Sequence, residues 1–154
     1  MHSLYLDEFS VGDIFETRSA TLTEGQIVDY AMMWDPQPFH MNKEVAEKTM
    51  FGGLIASGFQ TQALAFRLFC DLGLLMESNI IGTGMDEVRW TAPVRPGDTL
   101  KNRIEVLEAR PSSSKPDRGT LRLQHNVINQ TDDTVMTFQT VMIVRRSSAA
   151  KEVN

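Results

Sequence analysis

Ser57-Gly58-Phe59-Gln60-Thr61-Gln62-Ala63-Leu64-Ala65-Phe66-Arg67-Leu68-Phe69-Cys70-Asp71-Leu72-Gly73-Leu74-Leu75-Met76 is the stretch on which the fold turns. It reads as a long helix over about residues 57–76, apolar around most of its circumference. Gln60, Arg67 and Asp71 return to one narrow arc, because spacings of seven and four bring side chains to the same side of a helix. Gln62 falls outside that arc. A helix that is hydrophobic nearly all round is a buried helix, and in a chain of this size the available partner is a sheet curled about it. Cys70 within this run is expected to be a buried small hydrophobe.

The residues after the helix supply that sheet. Four stretches of strand character, roughly 80–92, 99–110, 119–129 and 134–145, are separated by Arg95-Pro96-Gly97-Asp98, by Pro111 to Asp117 and by Thr131-Asp132-Asp133. Leu121, Leu123, His125 and Val127 share one face opposite Arg122, Gln124 and Asn126, which makes His125 a histidine on an apolar face; a structural, hydrogen-bonded role is expected for it, with a catalytic one as the alternative. Before the helix, residues 11–22 read as a first strand. Thr23-x-x-Gln26 forms a capping box, and Ile27, Tyr30, Ala31 and Trp34 recur at helical spacing. Asn42 caps another short helix over 43–49, and Gly52-Gly53 breaks the chain before residue 57. The expected fold is α+β, an antiparallel sheet of about five strands around a long central helix. It is one domain over 1–147 with a flexible C-terminal tail at 148–154.

The first short helix delivers the chain to Trp34-Asp35-Pro36-Gln37-Pro38-Phe39-His40. Pro36 and Pro38 fix their own φ and restrict Asp35 and Gln37 to extended geometry, so the separation of Asp35 and His40 is held stiffly. A carboxylate and an imidazole aimed at one point can share a water and move its protons, which is the minimum apparatus of general acid–base chemistry. The plainer reading of the same residues is a proline-rich turn whose Asp caps the next element and whose His is solvated.

Composition sets the frame around that site. The chain has 154 residues, 42% hydrophobic and 23% charged. That suits one soluble domain, and no apolar run approaches the roughly 20 residues needed to span a bilayer. The first residues carry neither a basic nor an apolar leader region, so a cytoplasmic protein without membrane attachment is expected. The net charge of −5 argues against a nucleic-acid partner. The three histidines, His2, His40 and His125, show no ligand spacing with the single cysteine, and no metal site is expected.

Three segments together carry a resemblance. Asp35-Pro-Gln-Pro-Phe-His40, Phe51-Gly-Gly-Leu-Ile-Ala-Ser-Gly58 and Trp90-Thr-Ala-Pro-Val-Arg-Pro-Gly-Asp98 resemble, in order and spacing, the MaoC-like dehydratases, which include the (R)-specific enoyl-CoA hydratases. The resemblance runs from the Gly12-Asp13 turn to the last strand. It implies a single hot-dog fold that pairs into a homodimer, sometimes assembling further, and binds acyl thioesters of coenzyme A or of acyl carrier protein, with the pantetheine entering between protomers. It implies a hydro-lyase that adds water reversibly to a 2-enoyl thioester. No cofactor is expected apart from the CoA of the substrate itself. Asp35 and His40 become the catalytic pair, and the backbone N–H of Gly58 the oxyanion donor.

Negative charge gathers on the thioester carbonyl during such an addition, and an N–H at a helix N-terminus is a preorganised donor with the helix dipole behind it. Gly58 also reads as a glycine kept for close helix–sheet packing. The chain departs from the better-known pattern at Gln37, where Asn is usual, at Met33-Trp34 for Ser-Gly, at Phe39 for a smaller aliphatic residue and at Ser57 for His. Gln37, Phe39 and Ser57 are therefore expected at the substrate site, Gln37 orienting a neighbouring group; the bulky Trp34 and Phe39 either reshape the acyl pocket or pack outside it. The CoA phosphates call for positive residues, and Arg89, Arg95, Arg110, Lys115 and Arg118 are the candidates. A solvated basic hairpin is the plainer reading of the last three. Two other functions fit the same fold: a hot-dog acyl-CoA thioesterase, and a non-catalytic acyl-CoA-binding module.

Overall fold

Residues 3–147 are described by a computed structural model. A 3₁₀ turn at Leu6–Glu8 leads into β1 (Ile14–Glu16) and β2 (Ala20–Thr21), then α1 (Glu24–Trp34), α2 (Pro38–Met41), α3 (Lys43–Glu47) and α4 (Gly58–Asp71). The long strands follow: β3 (Asn79–Trp90), β4 (Thr99–Pro111), β5 (Arg118–Ile128) and β6 (Thr134–Arg145). They form one antiparallel sheet in the order β1-β4-β5-β6-β3, with β2 also on β4. The sheet wraps α4, which is the expected α+β hot-dog arrangement. The expected tail at 148–154 lies outside the described residues. Among those residues no helix is long and apolar enough to cross a membrane.

The expected first strand is broken in two. Its halves both pair with β4, but between them Thr17 ties itself to Asn102 through Thr17 N–H to the Asn102 carbonyl and Asn102 N–H to Thr17 Oγ1. The side-chain acceptor substitutes for a ladder partner there, which is how Thr competes with regular pairing. The capping box at Thr23 and Gln26 forms as expected, with bonds of 2.9 and 3.2 Å. Asn42 caps α3 through Val45 N–H, although that helix stops at Glu47.

The central helix differs from expectation in two ways. It ends at Asp71 instead of running to Met76, because Gly73 takes φ +69° and closes the C-terminus with its N–H on the Cys70 carbonyl. It is also not buried all round. Ala65, Leu68 and Phe69 face the sheet, whereas Phe59, Ala63, Phe66 and Cys70 form an exposed apolar stripe, so Cys70 is not the buried residue expected. Gln60 leaves the expected solvent arc and is buried, its Nε2 donating to the Gln26 carbonyl, while Arg67 and Asp71 pair on the surface.

Strand β5 alternates as read, with Leu121, Leu123, His125 and Val127 buried. His125 is fully buried between Asn102 Nδ2 on its Nδ1 (3.0 Å) and Thr140 Oγ1 on its Nε2 (3.0 Å). It stacks on Phe138 at 4.3 Å and meets Phe69 edge-on. Asn102 Nδ2 can only donate, so Nδ1 accepts and the ring's single proton sits on Nε2. His125 is thus structural, and burial pushes its pKa down to about 3 from 6.5. Since the unfolded chain binds this proton more readily than the fold does, stability should fall as pH drops from about 6.5 toward 3, by up to roughly 1.4 kcal/mol per pH unit. Urea unfolding at pH 7.5, 5.5 and 4.5 tests this: a His125→Gln variant is expected to lose most of the slope seen in the parent over that range.

Candidate active site

Three neighbouring segments build the site. The last residues of α1 bring in Asp35, whose N–H still bonds to the Ala31 carbonyl and whose φ of −150° turns the chain out of the helix. Pro38 then opens α2 at its first position, where a missing N–H costs nothing, with Gln37 extended before it. One turn of helix carries His40 back under Asp35, so the stiff separation read from the prolines becomes a convergence. The third segment, residues 51–58, runs from α3 to the N-terminus of α4. It is fixed to the β3–β4 connection by Ala56 N–H on the Val94 carbonyl at 2.8 Å, and by Arg95, whose guanidinium bonds to the Phe51 and Gly53 carbonyls.

Asp35 and His40 meet here, with Nε2 3.4 Å from Oδ2 and both side chains largely shielded from solvent. His40 Nδ1 lies 2.7 Å from the Ile55 carbonyl. A carbonyl only accepts, so Nδ1 carries the proton and Nε2 of the neutral ring presents a lone pair to the carboxylate. Two acceptors at this separation are complementary to a molecule that has two protons to donate. Asp35 is held by Ser57 Oγ on Oδ2 (2.6 Å) and by Gln37 Nε2 on Oδ1 (2.8 Å). Burial acts to raise its pKa, but the hydrogen bonds from Ser57 and Gln37, joined by the attraction of the His40 ring whenever that ring is protonated, outweigh it, and the carboxyl sits below its ordinary value.

Ser57 is fully buried and has a second bond, accepting Phe59 N–H at 3.2 Å as the N-cap of α4. Because the cap takes the Phe59 N–H, the N–H of Gly58 has no acceptor among the described residues. Gly58, Asp35, Gln37 and His40 line a cleft of about 430 Å³ whose walls are apolar: Phe51, Ile55, Ala56, Trp90, Pro93 and Val94 among them.

Other expected site residues lie elsewhere. Phe39 is not on the cleft wall; it packs at 4.5 Å against the His40 ring and at 5.7 Å against Phe51, so it supports the imidazole from behind. Trp34 is 69% exposed and also outside the wall. Arg89 is exposed and bonds to Glu87 and to the Val88 carbonyl. Lys115 and Arg118 line a separate cleft of about 300 Å³ with Arg110, Ile80 and Ile81, at the opposite end of β3 from Trp90. By the rise of a strand this is about 30 Å away within one chain. Arg118 is moreover engaged by Asp117 through two bonds.

Sequence reasoning missed the Ile55 carbonyl, a main-chain group that any residue type would supply, and it missed that Ser57 bonds Asp35 instead of facing substrate. Trp90, also on the wall, has no role that its sequence context assigns. Thr61, Thr91 and Val135 on the wall carried no signal.

Residues 8–129 match the MaoC like domain. The Bacillus subtilis protein YdeM, itself uncharacterized, is 34% identical over 92% of this chain and 99% of its own. The MaoC-like dehydratase of Rhodospirillum rubrum superposes with a TM-score of 0.88 at 37% identity, covering 94% of this chain and 99% of that one. A 3-hydroxybutyryl-CoA dehydratase from Methylorubrum extorquens is 28% identical over 70% of this chain and 67% of its own. The fold is that of the hot-dog proteins. Within that class, this chain belongs to the MaoC-like dehydratase family.

The hydrogen bond from Ser57 makes a direct prediction. Ser57→Ala should raise the Asp35 pKa, seen as an upward shift of its carboxyl titration by carbon NMR. Loss of the cap should also lower stability by about 1 kcal/mol. An unmoved titration would show that Gln37 and His40 suffice to hold the carboxylate.

Proposed function

We propose that this protein is a hydro-lyase that adds water reversibly to the double bond of a 2-enoyl thioester of coenzyme A, giving a 3-hydroxyacyl thioester. The observation that carries the reading is the facing pair of acceptors, Asp35 Oδ2 and His40 Nε2, beside the unpaired Gly58 N–H in one apolar cleft. The dehydratases among its relatives favour the same chemistry.

In the hydration direction a water between the two acceptors donates one proton to each. As its oxygen bonds to the β carbon, His40 Nε2 takes one of those protons, and the lowered pKa of Asp35 keeps the carboxylate ionised to stabilise the imidazolium. Electron density moves to the thioester carbonyl, where Gly58 N–H and the α4 dipole meet it. The α carbon then receives a proton from the pair, so one water is consumed and both side chains return to their starting states. Dehydration is the reverse. The chemistry calls for no cofactor or metal; CoA enters only as part of the substrate, and an acyl carrier protein presents the same reacting atoms.

The assembly is a homodimer formed edge to edge through β3. That strand is unpaired along one side over twelve residues, carries no Lys or Pro, and exposes Ile81 and Met85 next to Phe66 of α4. Antiparallel pairing of two such edges brings the Ile81 end of one copy to the Trp90 end of the other. The second copy's Lys115 and Arg118 are then brought toward the mouth of the cleft, within reach of CoA phosphates.

Mixing the protein with crotonyl-CoA should bleach the enoyl-thioester absorbance, and Asp35→Asn or His40→Gln should slow this by about a thousandfold or more with the fold intact. Release of free thiol instead would indicate a thioesterase, and CoA-ester binding without turnover a binding module. Joint charge reversal at Lys115 and Arg118 should raise KM several-fold for the CoA substrate but not for a pantetheine analogue; an equal effect on both would remove the phosphate contact.

A further inference from the structure

Trp90 ends β3 on the wall of the cleft and is 50% exposed. Its ring lies directly over Gly58. A methyl group built on that glycine would come within 2.4 Å of Trp90 Nε1, 2.5 Å of Cε2 and 2.9 Å of Cδ1. An edge-on ring would leave the two carbons more than an ångström farther than the nitrogen. The near equality means that the face of the pyrrole ring covers the glycine, so the Nε1–H runs past Gly58 and not into it.

That N–H has no acceptor among the described residues. Phe59 meets the indole edge-on, with centroids at 5.7 Å and planes at 72°, and holds the ring from the α4 side. An indole nitrogen only donates. Two unpaired donors, one on the main chain of Gly58 and one on the ring that covers that glycine, therefore stand together at the N-terminus of a fourteen-residue helix, in the cleft that holds Asp35 and His40. A carbonyl oxygen gaining negative charge is stabilised most by donors already in place, and two preorganised donors share that charge better than one.

We propose that Trp90 Nε1–H is the second hydrogen-bond donor to the thioester carbonyl oxygen, acting beside Gly58 N–H; this rests on the hydration reading above. Trp90 exchanges no proton with the substrate. It holds the oxygen, and its ring closes one side of Gly58 so that the carbonyl approaches from the Asp35–His40 side. Trp90 is in this sense a catalytic residue, because it touches a reacting atom.

The test compares the parent with Trp90→Phe and with a variant carrying benzothienylalanine at position 90, in which sulfur replaces the N–H at nearly constant size. Hydration of crotonyl-CoA gives kcat and KM, and titration with butyryl-CoA, which has the carbonyl but no reactive double bond, is set beside free CoA, which lacks the carbonyl. Both variants should lose about ten- to a hundredfold in kcat with KM within about threefold. Both should also bind butyryl-CoA about two- to threefold more weakly while free CoA is unaffected. The benzothienyl variant keeps the packing, so its result stands even if Trp90→Phe unfolds. If either folded variant keeps kcat within twofold of an active parent, the inference is overturned and the hydration reading survives. If the parent neither hydrates crotonyl-CoA nor binds butyryl-CoA, both fall together.

Discussion

The seating of α4 in the hollow of the sheet, through Ala65, Leu68 and Phe69, sets where its first turn lies, and the site is assembled around that turn. Asn102 donates to the Ala65 carbonyl from β4, which fixes the helix along its axis as well as against the sheet. Ser57 then stands where α1, the 51–58 loop and the β3–β4 connection meet. Its one hydroxyl donates to Asp35 and accepts from Phe59 N–H, so capping the helix and orienting the carboxylate are the same interaction. A shift of α4 by a fraction of a turn would break both.

Asp35 and His40 are prepared by different means. The carboxylate loses hydration on entering the cleft, but two hydrogen bonds replace it and favour the charged form. The imidazole is governed by one bond to the Ile55 carbonyl, which chooses the tautomer, and by Phe39 behind it, which limits the ring's rotation. His125 shows the contrasting treatment: it is enclosed by Phe69 and Phe138, has neutral partners, and is kept uncharged by burial. The fold thus holds one histidine ready beside a carboxylate and locks the other into the core.

The chain leaves a run of apolar side chains exposed along one face. Phe59, Phe66 and Cys70 on α4 continue onto the open edge of β3 with Ile81 and Met85. Long unprotected edges favour pairing with another chain. Of the cations that the sequence offers for CoA phosphates, Arg110, Lys115 and Arg118 lie beside Ile80 and Ile81 at the far end of β3, whereas Arg89 and Arg95 stand at the near end beside the cleft.

The sequence by itself determined the elements and their type. Period-two alternation at Leu121 to Val127, the Thr23–Gln26 box and the apolar run after Gly58 are local patterns whose physics acts over a few residues; the first two appear in the structure as expected, and the third forms a helix that stops at Asp71, short of Met76. It also made Asp35 and His40 stand out, because Pro36 and Pro38 constrain the backbone between them, and Gly58, because it puts an N–H with no side chain at the start of the long helix. Tertiary structure decided what those patterns could not contain. It placed the Ile55 carbonyl on His40, turned Ser57 toward Asp35, laid Trp90 over Gly58 and moved Phe39 off the cleft wall. It also exposed one face of a helix that composition alone would bury. Those outcomes depend on contacts between residues far apart in the chain, whose direction follows from how the helix sits in the sheet and leaves no periodic trace in the sequence.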